Sequence, residues 1–325
     1  MNLTPEKKKF IRVVAGLLIL LAVVYFVDLT QFLQQLRTLS PIYFAIMLAT
    51  AMLGRFLRAW KWNILLRARG VEISTWQAMR MSLIAHFTGS WTPGQIGGDA
   101  YRLYALREFG KSKVVLSTLL IERYAGLCAV CFFVLAGLPI TLPYLYQHSV
   151  WLVPVLLGII VLVLAVIPCM FSRRFLDLVL GCVSKLRGSK LEAKLRSFYE
   201  TLVDYKRHPG ALFSFSVIAL VEVLSYFVLN FFSARALGLD VSLWFFLFAM
   251  PIVHLLLRIP ISFQALGIQE GCFVYALVVA GFSPAQGLAV SIVQRALEWI
   301  VAIVPGGLLL WLTPGPSPFE SSAKQ

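Results

Sequence analysis

Charged side chains are scarce in this 325-residue chain: Asp, Glu, Lys and Arg make up 14% of it and only 15 residues are acidic, against about a quarter charged in soluble domains. Histidine occurs four times and cysteine five times. No closely spaced acidic pair, His-rich motif or nucleotide-binding glycine loop is present. The residue sets of metal-dependent and donor-sugar enzymes are therefore missing, and the chain is not expected to be an enzyme. One C-x-x-C occurs, Cys128 to Cys131, inside an apolar run with neither a second cysteine pair nor a neighbouring histidine. The expected role is that of small buried hydrophobes, with no disulfide, no metal and no cofactor. A signal-peptide cleavage site is also lacking: Tyr25, Phe26 and Asp28 stand where small residues would mark one, so the first apolar run is read as a retained helix.

What fills the chain instead is apolar: 59% hydrophobic residues and a mean hydropathy of +0.83, where soluble domains have about 45–50%. Runs at 10–27, 42–57, 114–138, 150–170, 211–232 and 288–312 are long enough, with their flanking aromatics, to cross a bilayer, which takes about 20 residues. The expectation is an all-α polytopic membrane protein of about six spanning helices. Residues 1–312 form one transmembrane domain, followed by a Pro- and Ser-rich cytoplasmic tail at 313–325.

The formal charge of +14 does not point to nucleic acid, because the basic residues sit in the loops. Lys7, Lys8, Lys9 and Arg12 precede the first run, and Arg173 to Arg207 fill a linker at 171–208 that reads either as an interfacial helix or as an ordinary basic loop. Arg55, Arg58, Lys61, Trp62, Arg67 and Arg69 close the second run as an aromatic and basic belt at the inner headgroup layer. This distribution places both termini in the cytoplasm; the expected location is a bacterial cytoplasmic (inner) membrane.

Two segments do not fit plain spanning helices. Residues 75–110 are interrupted by Gly89, Pro93, Gly94, Gly97 and Gly98, and residues 243–281 by Pro251, Arg258, Pro260, Gly267 and Gly271. Each is expected to be a re-entrant broken helix hairpin, since interrupted backbone at membrane depth needs protein or a water-filled cavity to satisfy it. They also superpose in one ungapped register: Asp99 on Glu270, Tyr104 on Tyr275, Ala105 on Ala276, Leu106 on Leu277, Gly110 on Gly281 and Ser112 on Ser283. With three spans between them, the second copy is inverted relative to the first, the architecture many secondary transporters use to build a midplane site.

Pro93-Gly94-Gln95-Ile96-Gly97-Gly98-Asp99 with Arg102, then Glu122-Arg123, then Pro260-Ile261-Ser262 and Gly267-Ile268-Gln269-Glu270-Gly271 resemble the transmembrane region of lysylphosphatidylglycerol synthases. The same pattern marks the flippase-like family of single-domain relatives, and the resemblance covers nearly the whole chain. It implies translocation of a lipid; the soluble domain that makes the aminoacylated lipid in the synthases has no counterpart here, so synthesis is not expected.

Ionisable groups at membrane depth cost roughly 2.5–3.5 kcal/mol each on insertion scales. Asp99, Arg102, Glu122, Arg123, Arg258, Glu270, Arg295 and Glu298 are therefore the candidate substrate-binding or transport residues, with His254, Glu222 and Arg58 as secondary candidates. For Glu122 with Arg123 and for Arg295 with Glu298, two readings stay open: neutralising partners on neighbouring helices, or a direct role. Asp99 and Glu270 either cap the helices that follow the breaks or act in gating or cation handling. The arginines suit a lipid phosphate. The expected activity is flipping of an anionic or lipid-linked headgroup of a phospholipid or polyprenyl lipid between the two hairpins, by a monomer or a homo-oligomer. The alternative is a non-transporting membrane partner of a lipid-modifying or glycosyltransferase complex.

Overall fold

The computed structural model describes residues 29–92, 95–148, 150–170, 172, 174, 177, 190–257 and 266–312. The expected first span at 10–27, most of residues 171–189 of the linker expected at 171–208, Pro93, Gly94, Arg258, Pro260, Ile261, Ser262 and the tail at 313–325 lie outside these residues.

The chain is an all-α polytopic membrane protein, with no strand among the described residues. In chain order the helices are α1 (Leu29–Arg37), α2 (Pro41–Ala68), α3 (Thr75–Ser90), α4 (Ile96–Ala105), α5 (Ser112–His148), α6 (Leu152–Met170) and α7 (Lys190–Val203). They continue with α8 (Pro209–Ala236), α9 (Leu243–Phe248), α10 (Met250–Leu256), α11 (Ile268–Val279), α12 (Pro284–Glu298) and α13 (Val304–Trp311). A π-helical turn, Trp299–Ile303, joins α12 to α13. Among the described residues, four stretches are long and apolar enough to cross a membrane: Pro41–Ala68, Ser112–Pro143, Pro209–Ala236 and Pro284–Trp311. They cover the expected runs at 42–57, 114–138, 211–232 and 288–312, and α6 covers the run at 150–170.

The helices start and stop where local chemistry dictates. Pro41, Pro209 and Pro284 open α2, α8 and α12, the position where a missing N–H costs nothing. Ser74 and Gln77 close a reciprocal capping box at the start of α3, and Ser283 and Gln286 do the same at α12. Gly110 and Gly281, matched in the sequence register, both adopt left-handed backbone at the ends of their segments, with φ of +63° and +90°. Leu106 and Leu277, also matched, are both fully buried.

The backbone of the bundle is the pairing of α2 with α8. Ser40 N donates to Ala236 O at one end (2.7 Å) and the Tyr205 hydroxyl to Leu65 O at the other (3.2 Å), so the two helices run antiparallel along their length. Burial pushes the Tyr205 hydroxyl's pKa upward, which keeps it a donor. Around this pair, Phe227, Phe246, Met250, Phe273 and Leu277 form the largest apolar core, joining α8 to the second interrupted segment.

The first interrupted segment is a helical hairpin. With 16 residues, α3 is about 24 Å long, short of the ~30 Å hydrocarbon thickness. α4 folds back on α3 so closely that a Cβ on Gly98 would lie 2.3 Å from Ala85 O, and one on Gly97 2.7 Å from Thr88 O. The second segment is more fragmented: α9 and α10 are only 6 and 7 residues long, and Pro251 opens α10.

Candidate functional site

The interrupted hairpin, α2, α5, α8 and α12 surround a cavity of about 380 Å³. Five cations reach its wall (Arg55, Arg58, Lys61, Arg102 and Arg123), as do four carboxylates (Asp99, Glu122, Glu222 and Glu298). With the lining histidines, His86 and His254, neutral, the wall carries one positive charge in excess. Such a concentration of charge inside a greasy bundle requires specific pairing.

The pairing joins helices distant in sequence. Arg102 on α4 places Nη1 2.7 Å from Glu122 Oε2 on α5, and its guanidinium lies 4.6 Å over the buried Trp62 ring of α2. One residue along α5, Arg123 bonds Asp99 of α4. From α8, Glu222 holds two cations of α2, Arg58 Nε at 2.8 Å and Lys61 Nζ at 2.5 Å. Glu298 of α12 accepts from His86 Nε2 of α3 at 2.9 Å and faces Arg55 Nη2 of α2 at 3.6 Å.

Glu270 stands beside the cavity rather than on its wall. It is fully buried, its Oε2 accepts from Gly267 N (2.7 Å) and its Oε1 lies 2.6 Å from Arg295 Nη2. It therefore caps α11 and binds an arginine of the next long helix at once. Its neighbour Gln269 does line the cavity and lies 3.5 Å from Arg295 Nη2. Asp99 sits at the matched position of α4 but spends its carboxylate on Arg123. In both interrupted segments the acidic residue of the short helix reaches an arginine of the following long helix, 24 residues on in the first and 25 in the second.

The candidates Asp99, Arg102, Glu122, Arg123, Glu298, His254, Glu222 and Arg58 are thus brought to one cavity. Glu270 and Arg295 form a buried pair alongside it, and Arg258 lies outside the described residues. Glu122, Arg123, Arg295 and Glu298 all reach carboxylates or cations on neighbouring helices. His254 packs edge-on against Tyr226, with ring centroids 4.2 Å apart.

Arg55, Lys61 and Trp62 require a correction. Read from the sequence as interfacial anchors, they are inside the bundle: Lys61 and Trp62 are 3% and 0% exposed, and Trp62 Nε1 donates to Thr118 Oγ1 at 3.0 Å. α2 continues well past the apolar run because these cations find acidic partners on α8 and α12. Their spacing in threes, which sets Arg55, Arg58 and Lys61 near one face of a helix, was the available signal. His86 carried no comparable signal. Gln95 was not singled out either; it lines the cavity with left-handed backbone, φ +61°, a conformation that costs a non-glycine residue about 1–2 kcal/mol and that concentrates at functional sites.

Comparison with known proteins agrees with this architecture. Residues 11–306 match the family described as the lysylphosphatidylglycerol synthase TM region. A UPF0104 membrane protein of Methanothermobacter thermautotrophicus is 24% identical over 324 aligned residues, covering 91% of this chain and 93% of that protein. A second UPF0104 membrane protein, from Methanocaldococcus jannaschii, is 25% identical over 236 residues, covering 70% of this chain and 94% of that protein. No solved structure matches the chain.

Proposed function

The chain belongs to the lysylphosphatidylglycerol synthase TM region family, and from that premise we propose that it translocates the headgroup of an anionic or lipid-linked membrane lipid across the cytoplasmic membrane. The headgroup crosses in the charged cavity while the tails stay in the bilayer. The observation that carries this reading is the wall of five cations and four carboxylates around about 380 Å³ of space inside a membrane-spanning bundle. A bundle needing only stability would have no use for it, because each ionisable group at that depth costs roughly 2.5–3.5 kcal/mol to insert.

Two further features support the reading. α3 is too short to span and returns as α4, consistent with a re-entrant hairpin. The matched Asp99–Arg123 and Glu270–Arg295 pairs suit two copies of one unit, which three intervening spans would leave inverted. On this reading the Lys- and Arg-rich loops lie in the cytoplasm with both termini.

The test is reconstitution. Proteoliposomes carrying a headgroup-labelled phosphatidylglycerol are expected to expose the inner-leaflet label when the protein is present, and D99A or R123A should abolish this while the protein stays folded. Movement equal to that of protein-free vesicles, or undiminished movement by both variants, would overturn the proposal.

A further inference from the structure

The positive excess of the cavity can be assigned to particular atoms. Arg123 is bonded to Asp99 and Arg102 to Glu122, and Glu298 faces Arg55. Glu222 alone serves two cations, Arg58 and Lys61. Lys61 is buried at 3% exposure with its ammonium 2.5 Å from Glu222, whereas the Arg58 side chain is 41% exposed and lines the cavity.

Arg58 engages Glu222 only through Nε, and no hydrogen bond of its Nη1 and Nη2 occurs among the described residues. That leaves two donors of a planar guanidinium beside the cavity. Arg55, three residues earlier on the same helix, contacts Glu298 at 3.6 Å, longer than a hydrogen bond, and also lines the cavity. Two guanidinium groups one helical turn apart, with a surplus charge between them, make a site for an oxyanion with oxygens pointing in more than one direction. Within a bilayer, the oxyanion common to glycerolipids and polyprenyl carriers is a phosphate ester.

We propose that Arg55 and Arg58 of α2 form the phosphate-binding subsite of the cavity, while Arg102 of α4 and Arg123 of α5 keep their carboxylate partners Glu122 and Asp99. The inference rests on reading the cavity as a headgroup site, and it commits the headgroup to a phosphate ester. The phosphate replaces no existing bond: it takes the free Nη donors of Arg58 while Nε remains on Glu222. Arg55 turns toward the phosphate from a contact with Glu298 that His86 already satisfies at 2.9 Å.

Binding can be measured without transport, by calorimetry on the purified protein in detergent. One arm uses glycerol 3-phosphate and inorganic phosphate; the other uses dihexanoyl phosphatidylglycerol in mixed micelles; acetate serves as the carboxylate control. The decisive variant is R58K, which keeps a cation beside Glu222 but loses the fork, with R55K as the second and thermal midpoints as the check on folding. The expected result is phosphate-ester binding by the wild type and about tenfold weaker binding by R58K, the size of one lost charge-assisted hydrogen bond. Acetate should not compete. Binding in the lipid arm alone assigns the phosphate to a lipid headgroup, and binding in both arms admits a soluble ester. No binding by the wild type, or wild-type affinity in both R58K and R55K, would overturn the subsite. Binding lost in R58K alongside vesicles that move no lipid would leave the subsite standing and remove translocation.

Discussion

Lys61 and Glu222 meet at 2.5 Å between α2 and α8, with the lysine side chain 3% exposed and the glutamate 10%. Because Arg58 shares the same carboxylate, the two partners are not equivalent. Removing Lys61 leaves Glu222 still paired, while removing Glu222 strands two cations. Stranding a buried charge costs about 3–5 kcal/mol. E222A is therefore expected to lower the thermal midpoint in detergent markedly, and K61M to lower it less. Equal midpoints for E222A and wild type would mean that this pair does not join the helices.

The matched pairs Asp99–Arg123 and Glu270–Arg295 differ in burial, and this separates their expected phenotypes. Side chains of the first pair are 31% and 51% exposed, a setting in which an ion pair contributes about 0–1 kcal/mol. D99N should thus leave the melting midpoint nearly unchanged while reducing lipid movement. A large loss of stability in D99N would assign this pair to the scaffold.

Glu270 is 0% exposed and serves both as cap and as partner. E270A loses the bond to Gly267 N and strands Arg295, so its destabilisation should be among the largest of any cavity-side variant. E270Q keeps an amide oxygen that can accept from Gly267 N. Its midpoint is expected between those of wild type and E270A; a midpoint for E270Q equal to that of E270A would show that the cap contributes nothing and the charge pair everything.

The membrane class and the positions of the long helices were legible because apolar run length is a one-dimensional signal. One matched feature of the interrupted segments was legible too: Gly110 and Gly281 both take the left-handed turn that ends their segment. What could not be read was pairing. Whether Arg55 and Lys61 face headgroups or a buried carboxylate depends on Glu298 and Glu222, more than 150 residues away: the Arg58 bond to Glu222 spans 164. Nothing local to residues 55–62 distinguishes the two, and a basic belt after an apolar run is the commoner meaning. His86 was invisible for the same reason, its partner Glu298 lying 212 residues on.

Close helix approach gives the last prediction. A Cβ on Gly98 would sit 2.3 Å from Ala85 O, and one on Gly306 2.3 Å from Leu83 O, both backbone atoms of α3 that cannot swing aside. Overpacking of this kind costs about 1–3 kcal/mol, so G98A and G306A should each lower the thermal midpoint. A Cβ on Gly158 of α6 would meet nothing within 4 Å, and an alanine in a helix interior is favoured over glycine by up to about 1 kcal/mol; G158A should melt at or above wild type. G98A has a second consequence. Asp99 follows Gly98 directly, so an α4 pushed off α3 carries the carboxylate away from its present position beside Arg123, and lipid movement should fall further in G98A than in G306A at matched loss of stability. Equal falls in the two variants would tie the loss to bundle stability alone and not to the placement of Asp99.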